Sequence, residues 1–355
     1  MSFYLYIFFI LLLVKLLPKN KITGILVILV LFALSAFRGE NVGDDTWNYF
    51  NNILRETEFD MSSLDSYSFE ISYQAVTKNI RYSGLPSYYV LWFLSAVTFI
   101  FLTLGVKRLK LGYADAVFFY YATILFFLSL NISRQMAGVS ICFYGYTFLI
   151  EKGWKRLIFI PLVLLAASIH FSAIIFSLLF IIMFIPDIHF GKTKWLIGLF
   201  LLSLFVLVFV FKNQIVGVLT PYTLIFDIYD SASLTSIRAG EATLPSFITG
   251  FVRLVINIFV LIWLNKKGYY KLSYIFLIAL LVSIVFNVLI SNVVRLQYYL
   301  QIIYITAYSL YFSSQELKKS ASRIIAFLCF IMVSLLQIYS CLRYDPFEIV
   351  PYYFN

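Results

Sequence analysis

The sequence is poor in charged residues and in cysteine. Charged residues make up only 12% of the 355 positions, whereas hydrophobic residues make up 62%. Since average soluble proteins carry about twice this charged fraction, a soluble globular protein is excluded. The 15 glycines and 8 prolines are too few for a collagen-like or disordered chain. Cys142, Cys329 and Cys341 lie in or beside apolar runs, which is typical of buried structural side chains rather than of a disulfide framework.

Motifs for nucleotide and metal chemistry are also missing. The sequence has no Gly-x-x-x-x-Gly-Lys, no Gly-x-Gly-x-x-Gly, no His-Glu-x-x-His, no Gly-x-Ser-x-Gly and no cysteine pairs at zinc spacing. ATP-driven transport and metallohydrolysis are therefore not expected from this chain, and we expect neither a cofactor nor a metal. Asp44 and Asp45 could contact a divalent ion, but nothing else at ligand spacing supports a closed site.

Long apolar runs dominate the rest of the sequence. About 20 apolar residues cross a bilayer core as a helix, and runs near this length recur along the chain. They predict an all-α polytopic membrane protein, with one transmembrane domain over residues 1–355. The run from Leu157 to Pro186 suits either a thin hairpin or a re-entrant pair. We predict about twelve spans, at residues 2–17, 22–37, 87–106, 112–130, 135–150, 157–169, 171–185, 195–211, 247–264, 273–293, 296–313 and 323–341.

Positive charge separates by side of the membrane. Every second loop is short and rich in lysine, and the positive-inside rule makes these loops cytoplasmic. The predicted inner side has 14 Lys and 3 Arg, whereas the outer side has 2 Lys and 8 Arg. Both termini are then outside the cytoplasmic membrane. Because the net charge of +10 divides in this way, we expect membrane lipids as partners and no nucleic acid.

The arginines on the outer side need their own explanation, because topology does not require them. Guanidinium groups bind phosphates and carboxylates through paired hydrogen bonds. The alternative is that each arginine pairs with an outer acid or reaches the lipid headgroups. The eight are Arg38, Arg55, Arg81, Arg134, Arg238, Arg253, Arg295 and Arg343.

Two outer segments are long, residues 38–86 and 212–246. The first begins with a polar cluster in which Glu40, Asp44 and Asp45 crowd together, and such crowding raises the pKa of at least one carboxylate, as a general acid or base requires. The alternative is a solvated loop in which Asp44 caps the following helix. The aromatic and acidic residues that follow predict short amphipathic helices on the outer surface, where aromatic rings suit sugar stacking or the interfacial belt.

Polar residues also interrupt the predicted spans. Arg253 and Asn257 are four residues apart and so share a helical face. Ionisable residues at membrane depth face a cavity or a partner rather than lipid, although polar groups also hydrogen-bond neighbouring helices. His170 stands within an apolar run in the predicted outer leaflet, where it is a proton acceptor, a phosphate-binding imidazole or a packing residue. The other residues of this kind are Arg134, Gln135, Arg295 and Gln297.

Three motifs together resemble a known family. The first, Phe-Arg-Gly-x-x-Val-Gly-Asp-Asp-Thr-x-x-Tyr, begins at Phe37; the second is Ser-Arg-Gln at residues 133–135; the third is Ala-Ala-Ser-Ile-His-Phe-Ser around His170. Their order is similar to that in the EpsG-like and Wzy-type polymerases of bacterial exopolysaccharide and O-antigen clusters. The resemblance covers roughly residues 30–180.

This resemblance implies a GT-C-type glycosyltransferase in the cytoplasmic membrane, with its active site on the periplasmic or extracellular side. Such enzymes transfer a glycan from undecaprenyl pyrophosphate to another lipid-linked repeat unit, and a chain-length regulator protein is a candidate partner. The implied catalytic candidates are Asp44, Asp45 and His170. The candidates for binding pyrophosphate are Arg38, Arg134, Arg238, Arg253 and Arg295, and those for binding substrate are Tyr49, Gln135, Asn257 and Gln297. Of these, Arg238, Arg253, Arg295, Asn257 and Gln297 rest on position and chemistry alone.

Two other functions stay open from the sequence. A flippase for the same lipid-linked oligosaccharide also needs cations for the pyrophosphate. It should, however, show related halves, and residues 1–180 and 181–355 are not similar. An O-antigen ligase would use the same donor and differ only in its acceptor.

Overall fold

The computed structural model describes residues 1–17, 21–43, 45–47, 49, 70–211, 214, 244–286, 292–344, 348–350 and 352. The regular structure of these residues is helical, which confirms the predicted all-α fold. The chain divides into two compact units. The first unit comprises Met1–Phe180 with Ser334–Asn355, and the second comprises Ile181–Val333.

The first unit is built around one buried helix, α7 (Ser133–Leu149), which packs against α4 (Tyr89–Arg108) and α8 (Phe159–Ile169). Gly105 of α4 permits close approach, since a Cβ there would lie 2.6 Å from the ring of Phe143. The other helices of this unit are α1 (Ser2–Leu16), α2 (Lys21–Ala36), α3 (Ile71–Tyr82), α4 (Tyr89–Arg108), α5 (Tyr113–Ala122), α6 (Leu125–Asn131) and α8 (Phe159–Ile169), with a 3₁₀ turn at Trp154–Ile158.

The second unit contains the remaining helices. Its helices α10 (Leu244–Lys266) and α11 (Tyr270–Phe286) pack against each other, and each also contacts α9 (Lys194–Val210) and α13 (Ile303–Tyr311). The division of the chain into two units falls within the 3₁₀ segment Phe171–Phe184 and within helix α15 (Ala321–Tyr344). The helices are α9 (Lys194–Val210), α10 (Leu244–Lys266), α11 (Tyr270–Phe286), α12 (Tyr298–Gln301), α13 (Ile303–Tyr311), α14 (Ser314–Leu317) and α15 (Ala321–Tyr344), with 3₁₀ turns at Gly191–Thr193 and Asn292–Gln297.

The prediction of twelve spans is not confirmed. Among the described residues, four helices are long and apolar enough to cross a membrane, or five if a bent pair counts as one span. The predicted spans 157–169 and 171–185 are helix α8 followed at His170 by a 3₁₀ segment. Several other predicted spans are apolar helices of only 15 to 17 residues. Hydropathy measures the length of an apolar run but does not detect a break inside it.

The predicted span 112–130 is a bent pair of helices. Helices α5 and α6 meet at 67°, with Ile124 between them at a φ of 68°. A β-branched residue in this left-handed region is strained, because its side chain crowds the backbone. A second break at Ile132 separates α6 from α7. Both ends of α6 are thus fixed by turns, and its last residues are turned toward the first outer segment.

Helix α3 is the amphipathic helix predicted in the first outer segment. Its buried residues Tyr73, Thr77 and Ile80 repeat every three or four positions, whereas Ile71, Asn79 and Tyr82 are exposed. Ser72 Oγ lies 2.7 Å from Ser168 Oγ, which ties the start of α3 to the end of α8. The helix therefore holds the residue that precedes it, Glu70, against the end of α8.

Lys15 is buried in the last turn of α1. Its Nζ lies 3.0 Å from Asp115 Oδ1, and the two side chains are 1% and 6% exposed. Each charge is costly to bury without the other. The pair joins the end of α1 to the start of α5, beside a cavity of about 550 Å³ that Lys21, Thr23 and Tyr113 also line.

We expect Lys15→Met to lower the free energy of unfolding by about 3–5 kcal/mol, because it removes the ammonium group that lies 3.0 Å from the buried carboxylate of Asp115. Replacing both partners, with Met and Leu, also removes the buried carboxylate and should restore much of the loss. Thermal unfolding in detergent measures both effects, with the exposed Lys152→Met as a control. A double variant no more stable than Lys15→Met would contradict this account of the pair.

Candidate functional site

The guanidinium of Arg38 organises the start of the first outer segment. Arg38 is fully buried, and its Nη2 donates to Ser133 Oγ at 2.6 Å and to Thr46 Oγ1 at 3.1 Å. Its Nε donates to the carbonyl of Val42 at 3.1 Å, and Nη1 donates to the carbonyl of Ser35. Burial lowers the pKa of Arg38 to about 10, so the side chain stays charged at neutral pH. Arg38 therefore binds neutral oxygens of its own turn and of α7.

The following turn packs against the end of α6. Gly43 has a φ of 96°, and a Cβ at this position would lie 2.1 Å from the carbonyl oxygen of Leu130. The backbone N–H of Asp45 donates to Asn131 Oδ1 at 3.0 Å. The N–H of Gly43 donates to the carbonyl of Glu348 at 2.8 Å, so the C-terminal segment also holds this turn. Glycine is needed here because any side chain would strike the backbone of α6.

Three side chains from distant parts of the sequence meet at one carboxylate. Glu70 Oε1 lies 2.9 Å from Nδ1 of His170, and Glu70 Oε2 accepts a hydrogen bond from Nη1 of Arg134. The Glu70 side chain is 20% exposed, His170 is 23% exposed and Arg134 is 31% exposed. Glu70 precedes α3, Arg134 lies in the first turn of α7, and His170 follows α8. The ends of three helices thus converge on Glu70.

The electrostatics of Glu70 follow from these contacts. Burial raises the pKa of Glu70, but the hydrogen bond with His170 and the positive charge of Arg134 oppose this effect. The net result is a pKa below the ordinary value, and Glu70 is ionised at neutral pH. The negative charge of Glu70 compensates the positive charge of Arg134.

Two tyrosines complete the surroundings of Arg134. The guanidinium lies 4.9 Å from the ring centroid of Tyr73, a cation–π contact, and the backbone N–H of Arg134 donates to Tyr49 Oη at 3.4 Å. Burial, and next the charge of Asp45, raise the pKa of Tyr49 to about 12, so its hydroxyl keeps its proton. The Nε and Nη2 groups of Arg134 make no hydrogen bond to a described residue.

Other predicted site residues lie in the second unit. Helix α10 contains Arg253 and Asn257, and their spacing places them on one face. Arg253 Nε and Nη2 are buried, and neither has a hydrogen-bond partner among the described residues. Asn257 Oδ1 accepts a hydrogen bond from Tyr308 Oη at 2.5 Å. Arg295 and Gln297 belong to the 3₁₀ turn Asn292–Gln297, in which Gln297 is buried.

The structure brings part of the predicted site together. Arg38, Asp45, Tyr49, Arg134 and His170 are joined through Ser133, Asn131 and Glu70 into one chain of contacts in the first unit. Gln135 is buried in α7 of the same unit. Arg253, Asn257, Arg295 and Gln297 belong to the second unit. Asp44 and Arg238 lie outside the described residues.

Sequence reasoning missed Glu70. It is 64 residues from Arg134 and 100 from His170, so no local spacing connects the three. The available signal was electrostatic: an arginine at a helix break and a histidine in an apolar run both need an acid, and the first outer segment is rich in acids. That reasoning identifies the first outer segment as the source of the acid, but it does not identify Glu70.

Comparison with known proteins identifies one family. A family model described as the EpsG family matches residues 21–354. No curated protein and no solved structure matches the chain.

We expect Gly43→Ala to destabilise the protein more than Gly84→Ala. Gly84 also has a positive φ, of 65°, but a Cβ there would have nothing within 4 Å. Both substitutions place a side chain in the left-handed region, which costs about 1–2 kcal/mol. Only Gly43→Ala adds the collision with Leu130. Unfolding temperatures in detergent measure the difference, and equal losses would argue against the close approach of the turn to α6.

Proposed function

Since this chain belongs to the EpsG family, we propose that it is a membrane glycosyltransferase that joins lipid-linked oligosaccharide repeat units into a polysaccharide. The donor glycan is carried on undecaprenyl pyrophosphate, and the acceptor is a sugar hydroxyl of another lipid-linked unit. The observation that carries this proposal is the meeting of two motif residues, Arg134 and His170, at Glu70. Glycosyl transfer from a diphosphate requires a base and a cation, and these two residues supply both.

His170 is the base in this proposal. The acceptor hydroxyl loses its proton to the imidazole as its oxygen bonds to the anomeric carbon of the donor. Asp45 is the next candidate, because its backbone is fixed to Asn131 close to Arg134. Three observations favour His170: its ring is held by a hydrogen bond, it is partly accessible, and its partner is a carboxylate.

Arginines supply the positive charge for the departing diphosphate. As the bond between the anomeric carbon and the phosphate oxygen breaks, negative charge grows on the leaving group, and fixed cations stabilise it. Arg134 suits this role within the first unit, because its side chain is 31% exposed and it meets His170 at Glu70. Arg38 is less suited, since its N–H groups are engaged by its own turn and by Ser133.

The proposed site faces the outer side of the cytoplasmic membrane. This orientation rests on the lysine-rich alternate loops, which the positive-inside rule assigns to the cytoplasm. Glu70, Arg134 and His170 are all near helix ends that the loop pattern assigns to the opposite side. Lipid-linked repeat units would therefore meet the site after translocation across the membrane.

Deletion in the native organism tests this function. We expect surface glycans of a single repeat unit, and restoration of long chains by the wild-type gene. A cytoplasmic precursor with no surface glycan would indicate a flippase, and polymer retained on undecaprenol would indicate a ligase; either result contradicts the proposal.

The same strain tests Arg134. We expect Arg134→Lys to lower polymer formation by about 10- to 100-fold, because lysine cannot offer paired hydrogen bonds to a diphosphate. Arg343→Lys is the matched control, since Arg343 is exposed on α15. Chain length on a polysaccharide gel, normalised to protein in the membrane, measures both. Full-length polymer from Arg134→Lys would remove this arginine from the proposed site.

A further inference from the structure

The two oxygens of Glu70 have separate partners. Oε1 faces Nδ1 of His170 at 2.9 Å, while Oε2 accepts from Nη1 of Arg134. An ion pair between Glu70 and Arg134 alone would leave the orientation of the imidazole ring undefined. The second contact fixes the ring, because Nδ1 must point at the carboxylate.

The charge of Glu70 determines which nitrogen of His170 carries the proton. Burial raises the pKa of Glu70, but the contacts with His170 and Arg134 bring it below the ordinary value. An ionised carboxylate can only accept hydrogen bonds. Nδ1 of His170 must therefore donate, which places the lone pair of the neutral ring on Nε2.

We infer that Glu70 is a positioning residue, which holds His170 in the tautomer whose Nε2 takes the proton of the acceptor hydroxyl. This inference rests on the proposed glycosyl transfer. In that step the O–H bond of the acceptor breaks and its proton moves to Nε2. The acceptor oxygen bonds to the anomeric carbon, and the lipid diphosphate leaves with the electron pair of the broken C–O bond. The arrangement follows the general pattern in which a third group orients the base.

Arg134 acts on the same carboxylate. Its positive charge favours the ionised form of Glu70 and so favours Nδ1 as a donor. The other charged or titratable groups around Arg134 are Asp45, Tyr49 and Tyr73. Burial raises the pKa of Tyr49 to about 12, so its hydroxyl is neutral near pH 7. Among the described residues, Glu70 is the carboxylate in direct contact with His170.

The chain offers a direct spectroscopic test, because it contains only two histidines. In a His189→Gln background, ¹⁵N-labelled histidine reports on His170 alone, and His189 is an exposed loop residue. We expect the Nδ1-protonated tautomer when Glu70 is present. In Glu70→Met, which removes the acceptor, we expect the ring to shift toward the Nε2-protonated tautomer that free imidazole side chains favour. An Nε2-protonated ring beside intact Glu70, or a tautomer unchanged in Glu70→Met, would overturn the inference.

A second measurement uses activity. The probe is the lipid-linked glycan that accumulates in the deletion strain, supplied to membranes that contain each variant. We expect Glu70→Gln to lower the polymerisation rate at least tenfold and to move the acidic limb of its pH profile to lower pH, because a neutral amide no longer stabilises the protonated ring. Glu70→Asp, which restores the charge, should recover part of the rate and the wild-type profile. A uniform loss at every pH in Glu70→Gln would indicate a merely structural role and overturn the inference.

The outcomes separate the inference from the function on which it rests. If the tautomer responds to Glu70 but His170→Gln still makes full-length polymer, the proposed base is wrong while the orientation of the ring stands. If His170→Gln is inactive but the tautomer of His170 is unchanged in Glu70→Met, the proposed function stands and the positioning role of Glu70 is wrong.

Discussion

The candidate site depends on one carboxylate that serves two partners. Glu70 compensates the charge of Arg134 and at the same time fixes the ring of His170, so three helix ends meet at a single ionised group. Burial of any one of these groups alone would be unfavourable, because a desolvated charge requires a counter-charge or hydrogen bonds. This requirement connects the first outer segment to α7 and α8 more specifically than apolar packing could.

Three buried cationic side chains differ in the groups that surround them. Lys15 has its own carboxylate, Asp115, and the pair contributes to packing. Among the described residues, Arg38 donates to neutral oxygens of its own turn and of Ser133, and it shapes the turn that follows α2. Arg253 has two buried nitrogens without a partner among the described residues. Among the described residues, the first two cations have hydrogen-bond partners, whereas two nitrogens of the third do not.

Part of this account was accessible from the sequence. Composition gave the helical membrane class, and three short motifs gave the family, which the match over residues 21–354 confirms. The number of spans was not accessible, because the bend at Ile124 and the break at Ile132 lie inside runs that hydropathy treats as continuous. The sequence could not distinguish Arg38 from a ligand-binding arginine, because no sequence motif predicts a turn whose backbone folds back to bind a guanidinium. Glu70 was missed because its contacts span 64 and 100 residues. The roles of the motif residues in catalysis stay predictions.

A double-substitution cycle on Glu70 and His170 tests the central claim most directly. Polymerisation rates would be measured for Glu70→Gln, His170→Gln and the double variant, each normalised to folded protein in the membrane. If Glu70 acts only through His170, Glu70→Gln should not lower the polymerisation rate of a protein that already carries His170→Gln. The double variant should therefore have the same rate as His170→Gln. Additive losses from the two substitutions would contradict this account, because they would mean that the carboxylate and the imidazole contribute independently.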